Sequence, residues 1–319
     1  MNTNHIARYY FFRCREMKYN LKKLLVYFIL SFLTTISSQA FSGERIFEEQ
    51  TNSFPAEGYS FSRKYVGFPI KKSDLINQLE ISDSVCGPTA ILNALILGNY
   101  YIRSCYDLMP GQNGAGKLLF VINEYGGKPS IEYPGTPRLN DDGICSVDLL
   151  YLFNDLLADN RKSNVSGEYI VREKGESDSH FLNRSHEKLV RSIKKGMPVV
   201  AHIRSFAAKK NSEQDKVYWY SLSSHYITIT KIPEQLADYE NGFEFEYLDP
   251  YKARIESGYV GVEKNRAFNA KFGVNNNSKW IKGKSFLLVN APSLNLKFSE
   301  QKWHDRAIMT LNYVIGYLD

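Results

Sequence analysis

The segment at residues 86–98, with the sequence CGPTAILNALILG, limits the fold more than any other part of the chain. It places a cysteine directly before Gly-Pro and an almost unbroken apolar run. Proline is tolerated in the first turn of a helix, because the N–H group that it lacks has no partner there. Gly98 and Asn99 follow the run and end the helix. We therefore predict a helix over residues 87–97, with Cys86 at its N-terminus.

Three further helices are predicted at residues 146–158, 184–195 and 299–317, where apolar residues recur at helical spacing. In the last of these the stripe consists of Trp303, Ala307, Leu311, Val314 and Leu318. Short stretches rich in Val, Ile, Tyr, Phe and Thr, separated by turns, predict strands. They lie at residues 198–203, 217–221, 225–231, 243–248, 257–262 and 285–290.

A helix-rich half followed by a run of short strands is typical of an α+β fold. Dividing the chain into two folding units would leave one face of the strands uncovered. We therefore expect a single domain over residues 41–319, with helices packed on an antiparallel sheet.

The first 40 residues have the pattern of a signal peptide. Lys22 and Lys23 precede an apolar run at residues 24–36, and small residues follow up to Ala40. The run is shorter than the roughly 20 residues that a membrane-spanning helix needs. We expect cleavage near Ala40, with Met17 as an alternative start, and a protein that is secreted or periplasmic with no stable membrane span.

Charge gives no support to nucleic-acid binding. Residues 1–40 hold six of the 40 basic residues and one of the 34 acidic residues, so the remainder is close to neutral. A basic stripe and the spacings of zinc-finger or RNA-binding motifs are missing from the sequence. No Cys-x-x-Cys or His-x-x-x-His spacing points to a metal, and we expect no cofactor.

Three cysteines remain after the leader: Cys86, Cys105 and Cys145. In an oxidising compartment an odd number leaves one thiol free or paired between chains. A bridge between Cys105 and Cys145 that leaves Cys86 free is one arrangement, and the sequence does not decide it.

Cys86 has the placement of a nucleophile. The partial positive charge at a helix N-terminus favours the thiolate, which is the reactive form of cysteine. The alternative interpretation is a buried structural cysteine at the start of a core helix, since free cysteine is among the most buried residue types.

His225 and Asp249 complete a possible triad. His225 opens an alternating strand, on the same face as Ile227 and Ile229, where it can exchange a proton with a sulfur on an adjacent helix. Asp249 ends the next strand, so neighbouring antiparallel strands would bring it beside His225 to orient the imidazole. The alternatives are a hydrogen-bonded core histidine and a turn aspartate before Pro250.

The oxyanion of a tetrahedral intermediate would need donors. The backbone N–H of Cys86 supplies one, and the side chain of Gln78 is the best candidate for a second. Ser82, Asp83 and Ser84 suit a loop that lets Gln78 fold back, although an exposed glutamine on a turn is an equal alternative.

Four motifs in this order resemble the C39-like branch of the papain-like cysteine peptidases. They are CGPTA from Cys86, GMPVV from Gly196, HYITIT from His225 and LDPY from Leu248, and they span about residues 70–262. The resemblance implies a papain-like α+β fold in which a strand and a helix follow the core to residue 319. It makes Cys86 the nucleophile, His225 the general base and acid, Asp249 the orienting residue and Gln78 the oxyanion donor. The family's glutamine usually lies closer to its cysteine, at the position that Glu80 occupies here.

These features predict an exported cysteine hydrolase that cleaves a peptide or amide bond in a peptide or protein substrate. One alternative is an acyl or γ-glutamyl transferase of the phytochelatin synthase type, which uses the same acyl-enzyme and differs in the acceptor. The Asn93-Ala94-Leu95 sequence partly matches that group. The other alternative is a binding module that keeps the fold without the activity.

Overall fold

The first predicted helix follows directly from the apolar run after Pro88. In the computed structural model it is α1, Cys86–Leu97, and its eleven residues from Gly87 onwards are buried. The structure describes residues 63–71, 75–211, 216–262, 271–272, 281–282, 286–294, 296 and 306–319, all of which lie in one compact unit, Ser60–Asp319. The predicted signal peptide at residues 1–40 lies outside these ranges.

Five α-helices occur in the described part of the chain. After α1 come α2, Tyr100–Asp107; α3, Gly114–Val121; α4, Ser146–Asp159; and α5, Asp178–Lys194. The predicted helices at residues 146–158 and 184–195 are confirmed as α4 and α5. The second begins six residues earlier than predicted, because Ser177 caps it by accepting a hydrogen bond from the backbone N–H of His180. No helix in these ranges is long and apolar enough to cross a membrane.

Twelve strands occur among the same residues. They are β1, Tyr65–Gly67; β2, Leu139–Asn140; β3, Gly143–Ile144; β4, Ser166–Tyr169; β5, Val199–Asn211; β6, Lys216–Pro233; β7, Gly242–Asp249; β8, Arg254–Gly261; β9, Lys271–Phe272; β10, Ile281–Lys282; β11, Leu287–Asn290; and β12, Arg306–Gly316.

Six of these strands form a closed ring. The antiparallel order runs β6–β5–β12–β11–β8–β7, and β7 pairs again with β6. Strands β1 and β4 are attached to this ring through β6 and β12. The predicted papain-like fold, with helices packed on an antiparallel sheet, is therefore wrong: a closed six-stranded sheet with two extra strands takes its place.

The predicted helix at residues 299–317 is also wrong where the structure describes it, because β12 covers Arg306–Gly316. This strand lies between β5 and β11 and is buried on both faces. A strand covered on both faces is apolar at almost every position, so its pattern does not distinguish it from a buried helix. The predicted helix is therefore replaced by β12, one of the strands that close the ring.

The two predicted strands at residues 217–221 and 225–231 form one long strand, β6. The serine-rich stretch between them resembles a turn in sequence, yet its ladder with β5 continues through a register shift at Ser205 and Phe206. Such a bulge absorbs an extra residue without ending the strand. His225 therefore lies within β6 and not at its entrance.

Two hydrophobic cores lie on opposite faces of the sheet. One combines α1, α3 and α4 with sheet residues such as Val200 and Tyr226. The other combines α5 with the next residues along the same strands, such as Ala201 and Ile227, whose side chains point to the opposite face. The first core anchors α1 against β6, where the Oγ1 of Thr228 donates to the carbonyl of Ala90 at 2.9 Å. This contact fixes α1 beside the strand that carries His225.

Candidate active site

Cys86 is the first residue of α1 and keeps partial solvent exposure. The first turn of the helix holds no acidic residue, so its positive end is not neutralised there. The next residue must be small: a Cβ at Gly87 would lie 2.6 Å from Cγ2 of Ile144 in β3. The Cys-Gly-Pro sequence thus lets the β2–β3 hairpin pack against the start of the helix, next to the sulfur.

His225 connects this sulfur to a buried carboxylate. Its Nε2 lies 2.7 Å from Oδ1 of Asp249, and the same imidazole lies close enough to the Cys86 thiol for each group to shift the pKa of the other. Because Nε2 is hydrogen-bonded to Asp249, the other ring nitrogen, Nδ1, is the one that can exchange a proton with the sulfur. The three residues therefore form a continuous chain from thiol to carboxylate.

The Asp249 carboxylate forms hydrogen bonds with other groups besides His225. Its side chain is 2% exposed, and Oδ1 also accepts from the backbone N–H of Tyr251 at 2.8 Å. Oδ2 accepts from Nη2 of Arg254 at 3.1 Å, and this guanidinium group also donates to the Ser293 carbonyl. A buried carboxylate with these partners is held in one position, which in turn orients the imidazole.

The environment shifts the pKa values of the pair towards a charged thiolate and imidazolium. Burial raises the pKa of the Cys86 thiol, but the hydrogen bond and charge of His225, with backbone N–H groups of Tyr226 and Gly87, outweigh it and lower the pKa below 9.0. Burial lowers the pKa of His225, but the hydrogen bonds to Asp249 and Cys86 outweigh it and raise the pKa to about 9. A thiolate at neutral pH is the form that attacks a carbonyl carbon.

Gln78 lies in a short 3₁₀ helix, Gln78–Glu80, and is buried. Its Nε2 donates to the carbonyl of Asp83 at 2.9 Å, three residues before Cys86, and its Oε1 is buried with no hydrogen-bond partner in the described structure. The backbone N–H of Gln78 donates to the carbonyl of Pro250 at 3.0 Å. The structure thus ties Gln78 both to the turn after Asp249 and to the loop before Cys86.

Two side chains that position this site do not stand out in the sequence analysis. Asn93 faces the segment before Gln78, where its side chain accepts from the backbone N–H of Ile76 at 2.9 Å and donates to the same residue's carbonyl at 3.2 Å. An asparagine within an otherwise apolar buried helix is the signal that indicates such a tether, because a buried amide needs partners. Arg254, on the strand after the Asp249 turn, carries no comparable signal.

Cys86, Cys105 and Cys145 are all free thiols, so the possible bridge between the last two is not formed. Burial raises the pKa of Cys105. Burial, together with the nearby Asp148 carboxylate, raises the pKa of Cys145 to about 12. Of the three thiols, Cys86 therefore has the environment of a nucleophile. Across the part of the chain that the structure describes, no group of three or more His, Cys, Asp or Glu side chains is arranged to hold a metal ion.

Comparison with known proteins gives no relative: no family model, no curated protein and no solved structure matches this chain.

Proposed function

We propose that this protein is a cysteine hydrolase that cleaves a peptide or amide bond through Cys86, His225 and Asp249. The observation that carries the proposal is the His225 imidazole, which contacts the buried Asp249 carboxylate at 2.7 Å and interacts with the Cys86 thiol. The motifs that resemble C39-like peptidases agree with this chemistry at the same residues, and the proposal rests on the site and not on the fold. Action outside the cytoplasm is part of the proposal, and the leader pattern at residues 1–40 is its support.

In the first half-reaction, the Cys86 thiolate attacks the carbonyl carbon and forms a tetrahedral intermediate. The backbone N–H of Cys86 and the amide of Gln78 are the proposed donors to its oxyanion. As the intermediate collapses, the imidazolium of His225 gives its proton to the leaving amine and the C–N bond breaks. A thioester on Cys86 and a free amine result.

In the second half-reaction, neutral His225 takes a proton from water, and the hydroxide attacks the thioester. The carboxylic acid leaves, and Cys86 and His225 return to the thiolate–imidazolium pair. Asp249 stays ionised throughout and stabilises the imidazolium, which is the task of the third member in a triad.

The proposal is tested by incubating the full-length chain with a defined mixture of peptides and following it by intact mass and product analysis. We expect a thioester adduct on Cys86 and release of free acid, both abolished in Cys86→Ala. Transfer of the acyl group to an added amine in preference to water would instead assign the transferase reaction. Intact peptides and an unmodified Cys86 across the mixture would contradict the proposal.

A further inference from the structure

A cleft of about 460 Å³ lies beside the start of α1, where Cys86 is the first residue. Ile144 lines it from β3, and Ser224 lines it from β6. A Cβ at Gly87, directly after Cys86, would lie 2.6 Å from Cγ2 of Ile144. The cleft therefore adjoins the candidate nucleophile and is placed to hold part of a substrate.

Arg204 brings an uncompensated positive charge to this cleft. It is the cross-strand partner of Ser224 and lines the cleft beside it. No ion pair joins its guanidinium to a carboxylate of the described residues, and its buried Nε has no hydrogen-bond partner there. A partly buried guanidinium favours a planar anion that accepts two hydrogen bonds, and a carboxylate has that geometry.

The other charges around the cleft leave Arg204 available. Arg138 donates to Oδ2 of Asp155 at 2.7 Å, so its charge is already paired. Glu132 and Asp142 line the cleft, but neither forms an ion pair with Arg204, and Asp142 is exposed at the turn between β2 and β3. Arg204 is thus the cation of this cleft that a ligand carboxylate can neutralise.

Two residues that line the cleft, Ser146 and His202, belong to a polar network with Tyr226. His202 stacks on Tyr226 with 4.4 Å between the ring centroids. The Tyr226 hydroxyl donates to the carbonyl of Ile144 at 3.2 Å, so its contact with Ser146 requires the Ser146 hydroxyl to be the donor. Nδ1 of His202 must then donate to Ser146 Oγ, at 3.0 Å.

Burial lowers the pKa of His202 well below 6.5, so the imidazole is neutral and Nε2 is its acceptor nitrogen. This nitrogen has no hydrogen-bond partner in the described structure, and His202 as a whole is only 5% exposed. Buried polar groups in folded proteins are normally hydrogen-bonded, so an unpaired acceptor on a cleft-lining residue indicates a ligand N–H or O–H group. An acceptor and a cation two residues apart on β5 match the N–H and carboxylate of an amino-acid unit.

We propose that this cleft holds the part of the substrate next to the scissile bond and that Arg204 binds a carboxylate on it. The inference rests on the proposed hydrolase function and specifies its substrate class: a peptide or amide with a carboxylate near the bond that is cut. An acidic side chain and a free C-terminal carboxylate have the same chemistry, and the experiment separates them.

The experiment labels Cys86 in the full-length chain with matched iodoacetyl dipeptides, in which the thiolate displaces iodide and forms a thioether. One pair carries glutamate or glutamine with an amidated C-terminus. The other pair has neutral side chains and a free or amidated C-terminus. Iodoacetamide measures the reactivity of the thiolate itself. Intact mass and peptide mapping give the rates, and the ratio of the charged to the neutral member of each pair is the result.

We expect the charged member to label Cys86 about tenfold faster or more in one pair, because a charge-assisted hydrogen bond is strong in a partly buried site. The ratio should fall to near 1 in Arg204→Gln and persist in Arg161→Gln, which removes an exposed arginine elsewhere. The pair that shows the effect identifies the source of the carboxylate.

Equal rates within both pairs would overturn this inference, and so would a preference for the charged member that persists in Arg204→Gln. In either case, rapid labelling of Cys86 by iodoacetamide would leave the hydrolase proposal standing. Failure of Cys86 to react even with iodoacetamide would overturn the hydrolase proposal, and the inference with it.

Discussion

Nε2 of His225 lies 2.7 Å from Oδ1 of Asp249, although 24 residues separate them along the chain. The two residues meet because β6 and β7 are antiparallel neighbours in the closed sheet. The carboxylate is almost fully buried, so its negative charge acts on the imidazole with little screening by water. This pair sets the protonation state of the proposed base.

The pH dependence of hydrolysis should be bell-shaped. On the acid side, the rate should fall as Cys86 becomes protonated, below the ordinary thiol pKa of 9.0 because the Cys86 pKa is lowered. On the alkaline side, it should fall as pH rises through about 9, where His225 loses the proton that it gives to the leaving amine. Since the two groups interact, the two apparent values belong to the pair. A rate that rises steadily beyond pH 9 would contradict this assignment.

Asp249→Asn should move the alkaline limb to lower pH. The amide oxygen still accepts from Nε2, but the negative charge that raises the His225 pKa is lost. The pH profile of kcat/KM measures the shift. Glu256→Gln is the control, because this carboxylate also lies near Arg254, at 3.8 Å, without contacting His225. An unchanged limb in Asp249→Asn, or an equal shift in the control, would show that Asp249 does not set the charge of the base.

Gln78→Ala should lower kcat by about 10²–10³ if the amide binds the oxyanion, as removal of such a donor does elsewhere. Alkylation of Cys86 by iodoacetamide forms no oxyanion, so its rate should change much less. Steady-state kinetics beside alkylation rates separate the two effects. Parallel losses in both measurements would assign Gln78 a structural role.

Asn93→Ala should lower the free energy of unfolding by about 2–4 kcal/mol, because two buried backbone groups of Ile76 lose their partners. It should also lower turnover, since the segment that carries Gln78 is released. Chemical denaturation and kinetics measure the two effects.

Asn154→Ala is a matched control for Asn93→Ala, because Asn154 holds the backbone N–H and carbonyl of Val165 in the same way. We expect this variant to lose stability and keep its turnover. If both variants lose turnover alike, the tether at Asn93 has no special link to the site.

The candidate site was more accessible to sequence reasoning than the fold. Gly-Pro after Cys86 is a local signal for a helix start, and the alternation after His225 is a local signal for a strand. These signals correctly place Cys86 at the start of a helix and His225 on a strand, although the arrangement of the sheet is not known from them. Their contact with each other depends on α1 packing on β6 through Thr228 and Ala90, which is a tertiary event that no local pattern encodes.

Closure of the sheet was not predictable from local patterns. It requires β12 to insert between β5 and β11, and its buried residues Leu311 and Val314 fit a helical stripe as well as a doubly covered strand. The roles of Arg204 and Arg254 were hidden for a similar reason. Each is an ordinary arginine in sequence, and its importance comes from the groups that the folded sheet places beside it.

The most direct test of the account is the rate of Cys86 alkylation by iodoacetamide near pH 6, followed by intact mass in the unmodified chain and in His225→Ala. We predict rapid labelling at Cys86 and not at Cys105 or Cys145, since raised pKa values keep those two as unreactive thiols. His225→Ala should slow labelling about tenfold or more, because the thiolate loses its imidazolium partner. Slow labelling of Cys86 that His225→Ala leaves unchanged would contradict the thiolate–imidazolium pair on which the account rests.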